Sequence, residues 1–157
     1  MRNIKAISEA ISYEIEMFEF SAKRLELENL DQLHKNIFLE TFILHARCLI
    51  DFLYPPNNAK ADDVAASHFF DNPENFYKSR PKFKSLIEVQ TLKPRAGKEI
   101  VHLTYERLNV TPKMKIWQIS KIHKEINGVL LIFFKCLSEE QRKWFSIIVS
   151  SRSVQFK

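Results

Sequence analysis

Arg95 and His102 stand seven residues apart in Arg95-Ala96-Gly97-Lys98-Glu99-Ile100-Val101-His102, a spacing that puts both on one line of a helix. Tyr105 and Glu106 fall on the same face. An arginine beside a histidine suits phosphodiester chemistry. An imidazole titrating near neutrality takes a proton from a 2′-hydroxyl or gives one to a leaving oxygen, while guanidinium stabilises the charge growing on the phosphorus oxygens. Lys98, Tyr105 and Arg107 come from the same segment and are placed to hold substrate around that pair. The plainer alternative pairs His102 with Glu99 or Glu106 on a solvated helix face.

A second constellation is Glu40, Arg47 and Asp51, at i, i+7 and i+11, within about 20° of one helical line. The surrounding residues are apolar, so this reads as a buried polar stripe. An unpaired buried charge costs several kcal/mol. The three therefore either form a salt-bridge network or line a pocket where Arg47 holds a phosphate or carboxylate bidentately. His45 sits off the stripe near Phe38, Phe42 and Phe52 and reads as a satisfied core histidine. Asp62, Asp63 and His68 lack a second histidine at i+4, and Asp62 suits a helix cap, so no metal site is expected. Cys48 and Cys136 lie in apolar stretches and read as buried, reduced thiols. With Gly97 and Gly128 as the only glycines, neither a P-loop nor a dinucleotide fingerprint can be written, and no cofactor is expected.

The elements that must carry these residues are helical. Ile4, Ile7, Ile11, Ile15, Phe18, Ala22 and Leu25 mark one face of a long first helix. A second is expected over about 30–52, with Asn29 as N-cap, Gln32 as its box partner and Pro55-Pro56 as the stop. Its apolar residues point almost all round, which predicts a central, buried helix. Prolines and asparagines break the pattern over about 54–80, with a short helix expected at 62–67. One helix is expected from near Pro81 toward Thr91 and another from Pro94 to about Leu108, where Gly97 costs roughly 1 kcal/mol. Thr111-Pro112 predicts the start of a long helix with Ile116, Ile119, Ile122, Ile126, Val129, Leu130 and Phe133 on its face. Ser138 and Gln141 predict a capping box for a last helix through about Ser150. The stretch 100–110 is β-branched and aromatic enough that a strand stays open there. Scarce glycine weighs against an all-β fold. The expected architecture is all-α: one domain, residues 1–157, a bundle of four or five main helices with an irregular crossover.

The chain has 157 residues and a net charge of +5, unevenly spread. Residues 1–77 carry −6, residues 78–124 carry +9 and residues 125–157 carry +2. A basic middle of this kind fits either an anionic partner or self-neutralisation against the acidic first half. Glu9, Glu14 and Glu16 stand where a signal peptide needs an uncharged run, and no apolar stretch approaches the roughly 20 residues that span a bilayer. The expectation is a cytoplasmic protein with no membrane partner.

Arg-x6-His at Arg95 and His102, in a small helical bundle, resembles the HEPN superfamily. His45-Ala46-Arg47-Cys48-Leu49-Ile50-Asp51-Phe52-Leu53 and His102-Leu103-Thr104-Tyr105 also resemble segments of uncharacterised small bacterial proteins, which implies no activity. Active HEPN members are metal-independent endoribonucleases, often of toxin–antitoxin or defence systems, in which dimerisation brings two motifs into one cleft. The resemblance thus implies RNA as substrate, a homodimer, an antitoxin-like protein partner, His102 as general acid/base and Arg95 as charge stabiliser. Ala96 departs from the polar residue that commonly follows the arginine. Two other readings compete: a non-catalytic module assembling with a protein partner, and a small anionic ligand held by Glu40, Arg47 and Asp51.

Overall fold

The computed structural model describes residues 3–27, 29–101, 103, 105–109, 111 and 116–145, and no strand occurs among them. The described helices are α1 (Ile4–Leu25), α2 (Gln32–Leu53), α3 (Glu74–Ser79), α4 (Ile87–Ala96), α5 (Ile119–Cys136) and α6 (Glu139–Lys143). The fold is an all-α bundle, as the periodicity predicts.

α1 begins where the Asn3 side chain accepts the Ala6 N–H at 3.0 Å. It buries Ile11, Ile15, Phe18 and Ala22, the stripe expected from the sequence. Buried Ser8 and Ser21 donate their hydroxyls to Lys5 and Met17 carbonyls of the same helix, so they sit in the core without an outside partner. α2 runs back along α1: the pairs Glu14–His45, Phe18–Phe42 and Phe20–Phe38 advance in opposite directions. Its N-cap is Asp31, which accepts the His34 N–H at 2.9 Å, rather than the expected Asn29. Only the second half of α2, from Phe42 to Leu53, is buried. Leu33, Ile37 and Leu44 are exposed, which corrects the expectation of a helix buried all round.

The crossover is packed rather than loose. The Ala66–Phe69 turn is 3-10, displaced from the expected helix at 62–67, and α3 supplies a helical turn that the prolines had masked. Phe69, Phe70 and Phe76 from this stretch converge on Phe133 of α5, with Phe52 of α2 and Phe145 beyond α6 completing the cluster. Arg80 closes the crossover. Its guanidinium lies over the rings of Tyr54, Phe76 and Tyr77 and donates to the Leu53 carbonyl at the end of α2.

Between α4 and α5 the backbone departs most from expectation. A 3-10 turn at Phe83–Ser85 precedes α4, so its helix starts at Ile87 and not near Pro81. Pro94 lies inside α4 instead of opening a new helix, and the chain continues through a π turn at Gly97–Val101 and a 3-10 turn at Tyr105–Asn109. α5 starts at Ile119, well after Thr111. Pro112, His102 and the end expected for the last helix lie outside the described residues. The Ser138–Gln141 capping box is formed. No described helix is long and apolar enough to cross a membrane.

Candidate functional site

A cleft of about 410 Å3 opens between the first half of α2 and a wall made by Glu99, Ile100, Arg107 and Trp117. Gln32, Asn36, Leu39 and Glu40 recur at helical spacing on one face of α2 and form one wall. Glu99 and Ile100 of the π turn, Arg107 of the 3-10 turn and Trp117 form the other. The sequence candidates Glu40 and Arg107, far apart in the chain, thus meet at one cavity.

Arg95 sits just behind it and is fully engaged. Its Nε and Nη2 donate to the two Glu99 carboxylate oxygens at 2.8 and 3.0 Å, and Nη1 donates to the Ile116 carbonyl at 3.3 Å. Its guanidinium carbon lies 3.8 Å from the Trp117 ring centre. The i, i+4 spacing of Arg95 and Glu99 is visible in the sequence, where Glu99 competes with Glu106 as a partner for His102. Trp117 had no signal of its own beyond an apolar pattern.

Arg107 differs. Its Nη2 donates to the Ile100 carbonyl at 3.0 Å, while Nε is buried without a hydrogen-bond partner among the described residues. A buried guanidinium N–H costs free energy unless an acceptor meets it, so this group is a local cost within the 3-10 turn. Tyr105 and Lys98 are exposed, Tyr105 at 91 %. His102 lies outside the described residues, so its distance from Arg95 does not enter the geometry.

The polar stripe of α2 does not form the expected buried network. Glu40 is exposed on the cleft wall, and Arg47 and Asp51 are half-buried. Asp51 pairs with Lys93 of α4. The stripe faces away from α1, and only its C-terminal end meets another helix, so solvent does what a salt-bridge network would otherwise have to do. His45 is buried as expected, with Nδ1 2.7 Å from Glu14 Oε2. A second such pair, His123 Nε2 and Glu19 Oε2 at 3.0 Å, ties α5 to α1.

Asp63 accepts the Lys60 N–H at 2.7 Å and His68 Nδ1 accepts the Ala65 N–H at 3.2 Å, so these groups brace the crossover backbone. Cys48 is exposed and Cys136 half-buried, which corrects the expectation of buried thiols. Partial desolvation, then the charge of Glu14, pushes the Cys48 thiol up to about 11. It is a poor nucleophile at neutral pH.

No family model, no curated protein and no solved structure matches this chain.

Proposed function

We propose that this protein binds RNA in the cleft lined by α2, Arg107 and Trp117 and cleaves it without metal through His102 and Arg95. The observation that carries the reading is the Arg107 guanidinium, a donor on the wall of a cavity that Trp117 also lines, in the stretch 78–124 that nets +9. Phosphate and base oxygens are the acceptors that such a donor and such a charge favour. Trp117 adds an aromatic face to the same cavity, the kind of surface on which unstacked bases settle.

Arg95 fits the scheme through exchange. Glu99 holds the bidentate edge of Arg95 that a phosphate would take, so an incoming phosphodiester replaces one anion by another. His102 then moves the proton and Arg95 carries the charge of the transition state. Tyr105 and Lys98 are exposed beside the site and position the strand. The test is cleavage of a fluorescent mixed-sequence RNA in EDTA by wild type and His102→Ala. Cleavage that vanishes in the variant is expected. Intact RNA with folded wild type, or cleavage that survives the substitution, overturns the catalytic role.

A specific observation favours the interaction-module reading as well. Tyr13 and Phe20 stand seven residues apart on α1, Leu27 follows just past its end, and Leu33, Ile37 and Leu44 lie on α2; all are exposed. Phe20 meets Phe38 edge-on, joining the two helices at this face. Exposed apolar surface of this kind marks contact sites. A homodimer through α1 and α2, or capture of an antitoxin-like partner there, is the accompanying proposal. Light scattering of wild type against Phe20→Glu checks the homodimer: a wild-type mass twice that of the variant is expected, and a monomeric wild type overturns it.

A further inference from the structure

We infer that the outer face of α1 is a self-complementary seam on which α1 of a second copy lies antiparallel; the inference rests on the homodimer reading and gives it an orientation. α1 joins its own bundle through one apolar stripe, Ile11, Ile15, Phe18 and Ala22. It carries a second line as well: Ala6, Ala10, Tyr13, Met17, Phe20 and Arg24, in alternating steps of four and three. All of these are exposed except Met17, which is half-buried. Alternation of four and three is the heptad repeat by which two helices pair. Arg24 joins the line with its guanidinium 4.9 Å from the Phe20 ring centre, a cation held against an aromatic face.

The charges beside the seam choose the partner and its direction. Glu9, Glu16 and Lys23 flank it at seven-residue intervals on the side away from α2. Glu14 flanks it on the other side, where it meets His45 of α2. Glu16 and Lys23 are exposed and make no ion pair or side-chain hydrogen bond among the described residues. A parallel pair sets opposite flanks against each other, which brings Glu9 to the partner's Glu14 and gains no ion pair. An antiparallel pair sets like flanks together. With Met17 against the partner's Phe20, Glu16 stands opposite the partner's Lys23, and the two-fold axis repeats the contact from Lys23 to the partner's Glu16. The same register puts Tyr13 against the partner's Arg24, a ring against a cation. A two-fold contact needs both halves of each pair in one sequence, and α1 holds them, so a second copy is the occupant this face fits. The face is separate from the cleft. α2 meets α1 through Phe38, Phe42 and His45, and its cleft residues lie roughly 140° further round.

The experiment is sedimentation equilibrium of the full chain at low ionic strength on wild type, Glu16→Lys, Lys23→Glu and the double swap. By symmetry each single change turns two attractive contacts into two repulsive ones. Each is therefore expected to raise the dimer dissociation constant at least about tenfold. The double swap restores both pairs in reverse and returns the constant to within about threefold of wild type. Both side chains are exposed, so far-UV circular dichroism of the four proteins is expected to coincide. A dimer that resists both single changes, or that the double swap fails to restore, overturns the antiparallel register and leaves the homodimer reading standing. A monomeric wild type overturns both.

Discussion

At the scale of single residues, Arg95 and Arg107, which the sequence offers together to a phosphate, stand in different surroundings. Arg95 is neutralised by a carboxylate four residues away and shielded by Trp117, whereas Arg107 lines the cleft and donates to the Ile100 carbonyl. Glu99→Gln is therefore expected to raise RNA affinity about two- to fivefold, the worth of a partly exposed ion pair. Anisotropy at low salt measures it, with Glu140→Gln on exposed α6 as the control for charge alone. Gly128 offers a simpler prediction. It lies within α5, and a Cβ built there meets nothing within 4 Å. Gly128→Ala should stabilise the protein by about 0.5–1 kcal/mol, read from urea unfolding, because alanine loses less backbone entropy in a helix.

At the scale of elements, α4 explains why the middle of the chain resisted reading. Leu86 stands at its N-cap and has no side-chain oxygen to offer. Glu125 of α5 supplies the cap from outside, its oxygens accepting the N–H groups of Val89 at 3.0 Å and Glu88 at 3.4 Å. A negative side chain at a helix N-terminus also meets the positive end of the macrodipole. Glu125→Ala is expected to cost about 1 kcal/mol in chemical denaturation, in the range of a lost cap. Its effect should appear as lost amide protection at Glu88 and Val89, while α1 stays protected. At the other end, Pro94 has no N–H for the preceding turn, and the helix gives way to the π turn that carries Glu99 and Ile100 to the cleft. A capping pattern that depends on a residue 36 positions away leaves no local trace.

At the scale of the whole molecule, the crossover acts as a wall of the core. The phenylalanines gathered around Phe133 join the crossover to α2, α5 and the chain after α6. Two groups, Tyr54 at the crossover and Cys48 on α2, make stability depend on alkaline pH. Burial pushes the Tyr54 phenol from 10.0 up to about 12, and the Cys48 thiol rises from 9.0 to about 11. Between those values the unfolded chain releases protons that the native chain keeps. Stability is thus fully present below about pH 9 and declines as pH rises toward 12. Urea midpoints at pH 8, 10 and 11.5 check this, and Tyr54→Phe should flatten the upper part of the decline. Tyr54 also donates its hydroxyl to the Pro81 carbonyl at 2.7 Å, so ionisation removes a crossover anchor as well.

The amino-acid order by itself determined the helical class, the buried face of α1, the long apolar face of α5 and the Ser138 box, because each depends on residues within a few turns of one another. It also brought Arg95, Arg107 and Glu40 forward as residues able to do chemistry. Tertiary structure decided which of them stand together. Seven-residue spacing put Glu40 in line with Arg47 and Arg95 in line with His102. Packing instead placed Glu40 opposite Arg107 across a cleft and gave Arg95 to Glu99 and Trp117. Helical periodicity reports which side of a helix avoids water. It carries no information about which distant side chain stands opposite, and here that pairing sets the chemistry of the site.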